Sequence, residues 1–139
     1  MTESEPIRYE VNPPVANQQL NELISRAWQV LDDRDFEPVL ARSLIYICAF
    51  AGETLVGFVN VAWDGGVHAF LLDTTVHPNY QRCGIGTELV TRASTAAMLA
   101  ECEVLHVDYD ERLAPFFEAC GFKATHAGSI RLKLFRSLA

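Results

Sequence analysis

The apolar positions change period several times along the chain, and each change predicts an element. Ile7 to Val11 reads as a short strand, stopped by Asn12-Pro13-Pro14, where proline fixes φ and removes a backbone donor. From Asn17, placed as an N-cap, Leu20, Leu23, Ile24, Ala27 and Leu31 recur at helical spacing. A second short helix is expected from Asp35 toward Arg42. Leu44 to Ala51 is then a continuous apolar run, followed after Gly52-Glu53 by Leu55 to Trp63 and after Asp64-Gly65-Gly66 by Val67 to Val76. Runs of this length between turn signals predict three strands joined by hairpins.

Helical periodicity returns after a loop from His77 to Cys83. Ile85, Leu89, Ala93, Ala96 and Ala100 share one mostly small face, suited to close packing on a sheet. Val104 to Val107 reads as a strand and Leu113 to Cys120 as a short helix closed by Gly121 in the left-handed conformation. Phe122 to His126 and Ile130 to Phe135 are expected as a last pair of strands around Gly128. The fold class that follows is α/β of the α+β type, a mixed, largely antiparallel central sheet flanked by helices.

With 139 residues the chain is expected to form a single domain, 1–139. Half its residues are hydrophobic and about a fifth charged, a globular balance. No apolar stretch is long enough to span a membrane, and the first fifteen residues lack the basic patch and apolar run of a signal peptide. A cytoplasmic location is therefore expected.

The net charge of −7 argues against nucleic acid as a partner, since phosphate neutralisation needs a basic face. The charge is uneven: four basic and ten acidic residues through Phe70, seven and eight from Leu71 onward. An acidic half beside a nearly neutral one suits a protein that attracts a cation at one place and holds an anion at another, although two ordinary solvated surfaces would look the same. Cys48, Cys83, Cys102 and Cys120 form no CxxC pair and read as reduced thiols. His68, His77, His106 and His126 show no ligand spacing, so no metal is expected.

The stretch from Val76 to Thr87 carries the chemistry. It follows a strand and opens a helix, so its backbone N–H groups converge where an anion is favoured, and Gly84 and Gly86 leave the approach open. It is not a P-loop, because Gly86 is followed by Thr87-Glu88 without a lysine. Nor is it a dinucleotide fingerprint, because Leu89 stands where the third glycine is needed.

Gln81-Arg82-Cys83-Gly84-Ile85-Gly86 resembles the Q/R-x-x-G-x-G/A signature of the GNAT superfamily of acetyl-CoA-dependent N-acetyltransferases. Val76-His77-Pro78 resembles that family's lead-in from its fourth strand, and Gly57 a glycine of its third. The segment from Asp110 to Gly121-Phe122 is similar to its terminal N-x-x-A-x-x-x-Y-x-x-x-G-F pattern. The likeness covers about residues 7 to 136. It implies that the backbone of Gln81, Arg82, Cys83, Gly84, Ile85, Gly86 and Thr87 holds the pyrophosphate of acetyl-CoA, the acyl donor. It also implies that Thr74, Thr75 and Val76 pair with the pantetheine arm, one N–H polarising the thioester carbonyl. Three positions depart from the pattern. Arg82 stands at a common glycine, Asp110 at the asparagine, and Phe117 at the tyrosine that often protonates the departing thiolate.

Asp73, in an otherwise apolar and threonine-bearing strand, is the candidate base, with a structural carboxylate as the alternative. Tyr109 is the candidate acid, with a half-buried aromatic as the alternative. His77 and Cys83 have suitable chemistry but ordinary places in such a loop. Trp28 and Trp63 read first as core, Trp28 lying on the helix that shapes the acceptor pocket in this family. The reading that follows is acetyl transfer from acetyl-CoA to a primary amine, a cationic small molecule or a peptide amine, by direct attack. A CoA-binding sensor or partner subunit with little catalysis is the alternative, and a ligand-free interaction domain the third class. Among further partners a homodimer stays open.

Overall fold

The computed structural model of the protein describes residues 5–30 and 33–133. Strands β1 (Ile7–Val11), β2 (Ile45–Ala51), β3 (Thr54–Trp63), β4 (His68–Val76) and β5 (Val104–Val107) form one sheet in that spatial order. The first four are antiparallel neighbours, and β5 runs parallel to β4. Helices α1 (Asn17–Trp28) and α2 (Glu37–Arg42) precede β2, α3 (Ile85–Leu99) crosses from β4 to β5, and α4 (Ala114–Ala119) follows. The expected mixed, largely antiparallel sheet flanked by helices is the sheet observed.

Both faces of β2 and β3 are covered, which is why their sequences run apolar without alternation. On one face Ile85, Leu89, Val90 and Ala93 of α3 pack against Ile47, Ala49, Val59 and Val61. On the other, Leu20, Leu23 and Ile24 of α1 join Phe36 over Cys48, Phe50 and Phe58. A Cβ at Gly57 would fall 3.0–3.2 Å from Ile85, Leu89 and Ala49, so the glycine there sets how closely α3 rides on β3. In the first part of β4, Ala69 and Leu71 are buried while His68, Phe70 and Leu72 are exposed.

Two irregularities of β4 place the site. Its pairing with β3 slips so that Phe58 faces Thr75 but Asn60 faces Leu72, leaving Asp73 and Thr74 opposite Val59 alone. This bulge puts Asp73 at φ +57, a left-handed conformation that aspartate tolerates better than most side chains. Pairing with β5 ends at Leu71 and Val107, while β4 runs on to Val76. The last residues of β4 therefore have a neighbour on the β3 side and an open edge on the other.

Two expectations are corrected. Asn17 is not the N-cap: α1 begins at Asn17, Ala16 is the cap, and Gln19 Oε1 accepts from the Ala16 N–H. The expected terminal strands are absent from Phe122 to Lys133, and Ile130 and Leu132 are 81% and 90% exposed. Among the described residues that segment pairs with neither edge strand, β1 nor β5, and a hairpin standing alone is marginal in water. Leu134 and Phe135 of the same expectation lie outside the described residues, as does Leu31 of the first helical pattern.

Candidate active site

The chain leaves β4 through His77 and a 3-10 turn at Pro78–Tyr80. His77 Nδ1 accepts from the Asn79 N–H at 3.0 Å, and its ring meets Tyr80 edge-on. Burial, and then the nearby Arg26, hold the His77 pKa below its usual value, which favours the neutral ring that this acceptor role requires. His77 thus serves to form the turn. Gln81 Nε2 donates to the Val76 carbonyl at 3.0 Å and folds the loop back on the strand.

Arg82 and Gly84 both adopt left-handed backbone, at φ +66 and +85, just before α3. Such residues at a helix mouth turn successive N–H groups toward one side, where the helix dipole also favours an anion. Gly84 is demanded by its φ, since nothing lies within 4 Å of a Cβ placed there. Gly86 is demanded by space instead, because a Cβ would come within 3.2–3.3 Å of the Phe116 ring. Its smallness therefore seats α4 as well as keeping the loop bare. Cys83 is exposed, its thiol 3.6 Å from the Gln81 carbonyl. Burial raises the Cys120 thiol, an effect opposed by its hydrogen bond with Thr87.

The strand edge beside this loop is oriented by alternation. The His77 N–H donates to the Val56 carbonyl at 2.8 Å, on the β3 side. The N–H and C=O of Val76, one residue earlier, therefore turn to the open edge, where Gln81 reaches the carbonyl.

On the α1 side of β4 lies a cavity of about 270 Å³. Asn21, Trp28, Arg34, Asp73 and Thr75 supply its polar groups, with Ile24 and Val30 as apolar wall. Thr75 is 2% exposed; its hydroxyl accepts from Trp28 Nε1–H at 3.1 Å and donates to the Asp73 carbonyl at 2.8 Å. Two asparagines one helical turn apart clasp the connection from α1 to α2. The Asn21 side chain donates to the Arg34 carbonyl at 2.9 Å and accepts from the Arg34 N–H at 3.0 Å. Asn17 Oδ1 accepts from the Phe36 N–H at 2.8 Å. Arg34 lies over the Phe36 ring, 4.5 Å from its centroid, with Nη1 4.0 Å from Asp73 Oδ1.

The structure thus brings Asp73 and Thr75 together in one cavity and sets Gln81 to Thr87 around the mouth of α3. Tyr109 and Phe117 do not join that cavity. They stack on one another at 4.9 Å on the α3 face, and Phe116 and Phe122 meet Phe117 edge-on. Trp28 and Trp63, expected in the core, are 42% and 37% exposed. Cys48 is buried as expected of a packed thiol, its pKa pushed up to about 12 by burial and then Glu10. Sequence reasoning missed Asn21 and Arg34; the i, i+4 asparagines of α1 were the signal available. Among the described residues no group of three or more metal-ligating side chains is assembled, and no helix is long and apolar enough to cross a membrane.

The Acetyltransferase (GNAT) family profile matches residues 16–122, from the cap of α1 to the end of the Gly121-Phe122 motif. The chain belongs to the GNAT acetyltransferase family. This GNAT chain is 38% identical over 87 residues to "GCN5-related N-acetyltransferase 3, chloroplastic" of Arabidopsis thaliana, a match covering 60% of the chain and 35% of that protein. It is 26% identical over 72 residues to "Uncharacterized N-acetyltransferase ycf52" of Pyropia yezoensis, covering 52% of the chain and 41% of that protein. The chain thus spans well under half the length of the curated relatives it matches. Among solved structures, a GNAT family acetyltransferase of Streptococcus pneumoniae superposes with a TM-score of 0.75 at 24% identity, covering 92% of this chain and all of that one. AAC(6')-Iy, solved with the bisubstrate analogue CoA-S-monomethyl-acetylneamine, gives 0.75 at 17% identity, covering 93% and 99%. Both likenesses place this GNAT chain in the family's fold.

Proposed function

We propose that this GNAT chain transfers acetyl from acetyl-CoA to a primary amine by direct attack. One observation carries the reading: the open end of β4 has an anion-favouring backbone loop beside it and a charged cavity behind it. Acetyl-CoA supplies the activated acetyl thioester. The N–H groups of Gln81 to Thr87 take its pyrophosphate, with Arg82 adding charge, and the edge of Thr74 to Val76 takes its pantetheine arm. The Val76 N–H, turned to the open edge, is the donor for the thioester oxygen.

The acceptor arrives as an ammonium, and Asp73 takes its proton, directly or through water. The nitrogen then bonds to the acetyl carbon and gives up its second proton to solvent, while the carbon–sulfur bond breaks and its electron pair leaves on sulfur. Solvent protonates that sulfur, because Phe117 has no proton to give. A second reading, a CoA-responsive module with little transfer, is favoured only by Phe117. The cytoplasmic setting stays part of the proposal, with the chloroplast of the Arabidopsis relative's name as its rival.

Two measurements on the full chain separate these readings. Acetyl-CoA should raise the melting temperature, since only the folded loop binds it, and a panel of primary amines should release free CoA. A shift without CoA release leaves the sensor reading; no shift removes both.

A further inference from the structure

We infer that the acceptor is a compact zwitterion, an amine with a carboxylate on a neighbouring carbon, and that Arg34 is the residue that selects it. The inference rests on the transferase reading above and narrows its acceptor from any cationic amine to an amino-acid type.

The argument begins with unspent hydrogen-bonding capacity. Asp73 and Arg34 present opposite charges to the same cavity, their side chains 30% and 40% exposed. Their nearest atoms are 4.0 Å apart, beyond the 2.7–2.9 Å of a charge-assisted hydrogen bond. Among the described residues, the Arg34 guanidinium and the Asp73 carboxylate make no shorter polar contact. Each ion faces the other without engaging it.

Both are nonetheless held in place. The bulge of β4 fixes the Asp73 backbone, and Thr75 bonds its carbonyl. The Asn21 amide grips Arg34 through both its N–H and its C=O, and the Phe36 ring supports the guanidinium face. With one face on the ring, the guanidinium offers its edges, which match a carboxylate in a planar, two-point fashion.

A ligand that carried only an ammonium would meet Asp73 but would also bring a positive charge beside Arg34. A ligand with ammonium and carboxylate on one carbon places the first on Asp73 and the second on Arg34, so that the four charges alternate in sign. The cavity, at about 270 Å³, lies just under the range of drug-sized sites and suits such a head group. Trp28 and Val30 leave an apolar wall for its side chain.

The test compares matched acceptors with saturating acetyl-CoA: leucine, leucinamide and isopentylamine, then serine, serinamide and ethanolamine. CoA release is followed for the wild type, Arg34→Gln and Arg34→Lys. The amide's amine is less basic than that of its amino acid, so free-amine availability alone favours the amide, and preference for the acid reports recognition. In the wild type, kcat/KM is expected to favour the amino acid at least tenfold over both partners in one set or the other. Arg34→Gln should reduce that preference to within about twofold, through a higher KM for the acid and, with the like charge beside the ammonium removed, a lower KM for the amides and amines. Arg34→Lys should retain part of the preference, as a charge without the planar fork. The acetyl-CoA melting shift of each variant should match the wild type, showing an intact donor side. Equal or better turnover of amides and amines, or an acid preference that survives Arg34→Gln, overturns the zwitterion inference and leaves the transferase reading standing. No CoA release from any of the six amines overturns the zwitterion inference; release with other amines of the wider panel then leaves the transferase reading standing, and none at all removes it.

Discussion

The two sides of the C-terminal end of β4 are built from different materials. Toward α3, the proposed donor site is made of backbone: left-handed residues at Arg82 and Gly84, the helix mouth behind them and the turned-out Val76 edge. Toward α1, the cavity is made of side chains that come from three separate places, namely Asn21 and Trp28 on α1, Arg34 in the connection to α2, and Asp73 and Thr75 on β4. A backbone site constrains consecutive positions to particular φ angles and so leaves a local motif. A side-chain site needs only that distant residues meet, and the contacts that make them meet leave no spacing rule.

The sharpest break of this comparison is on the donor side. In Gly84→Val a β-branched residue must take φ +85, at a cost of about 1–2 kcal/mol, with no neighbour to clash with. The chain should still fold, and the acetyl-CoA-dependent rise in melting temperature should vanish. An undiminished rise in a folded variant would show that this loop is not the donor site.

Asp73→Asn is the acceptor-side counterpart. Asparagine also tolerates the left-handed conformation, so the bulge should persist. Loss of the base should lower kcat/KM by roughly 10²–10⁴-fold while the acetyl-CoA melting shift stays intact. A shift lost together with activity would mean that the two sides are not separable.

Smaller effects are expected from the aromatic stack. Phe117 is 5% exposed and has rings on three sides, so the Phe117→Tyr hydroxyl would enter a crowded apolar setting. A lower melting temperature and a kcat within twofold of the wild type are expected, and Tyr109→Phe should likewise keep kcat within twofold. A tenfold gain in Phe117→Tyr, or a tenfold loss in Tyr109→Phe, would place a ring at the leaving sulfur.

The smallest effect concerns His77. A histidine with a depressed folded-state pKa binds fewer protons folded than unfolded, so its contribution is full above the ordinary value near 6.5 and fades as pH falls below it. In His77→Asn, whose Oδ1 can still accept from the Asn79 N–H, the melting temperature should fall less between about pH 7 and about pH 5 than in the wild type. Equal slopes would remove His77 from the acid sensitivity of the fold.

The strand order, α3 and the anion loop are legible in the sequence because each rests on local signals: unbroken apolar runs in β2 and β3, small residues along α3, and Gly84 at a left-handed position. Asn17 misleads a local reading. The residue type fits a cap, but its Oδ1 is spent on Phe36 across 19 positions of sequence. Trp28 reads as core because a tryptophan on a helix is usually packed, whereas its indole N–H reaches Thr75 across 47. Asp73 is legible as an odd acid in an apolar strand. The bulge that aims it is not, since nothing in the alternation of Leu72 to Val76 announces an extra residue.

The asparagine clasp also bears on how such a protein changes over evolutionary time. Arg34 and Phe36 are gripped through their main-chain atoms by Asn21 and Asn17, and the stretch ends on the deeply buried Phe36 ring. Main-chain gripping is indifferent to the side chains it carries. Position 34 is in effect a replaceable slot, able to vary while its anchors hold still. New acceptor preferences could therefore arise by single substitutions there, without disturbing the sheet or the donor loop.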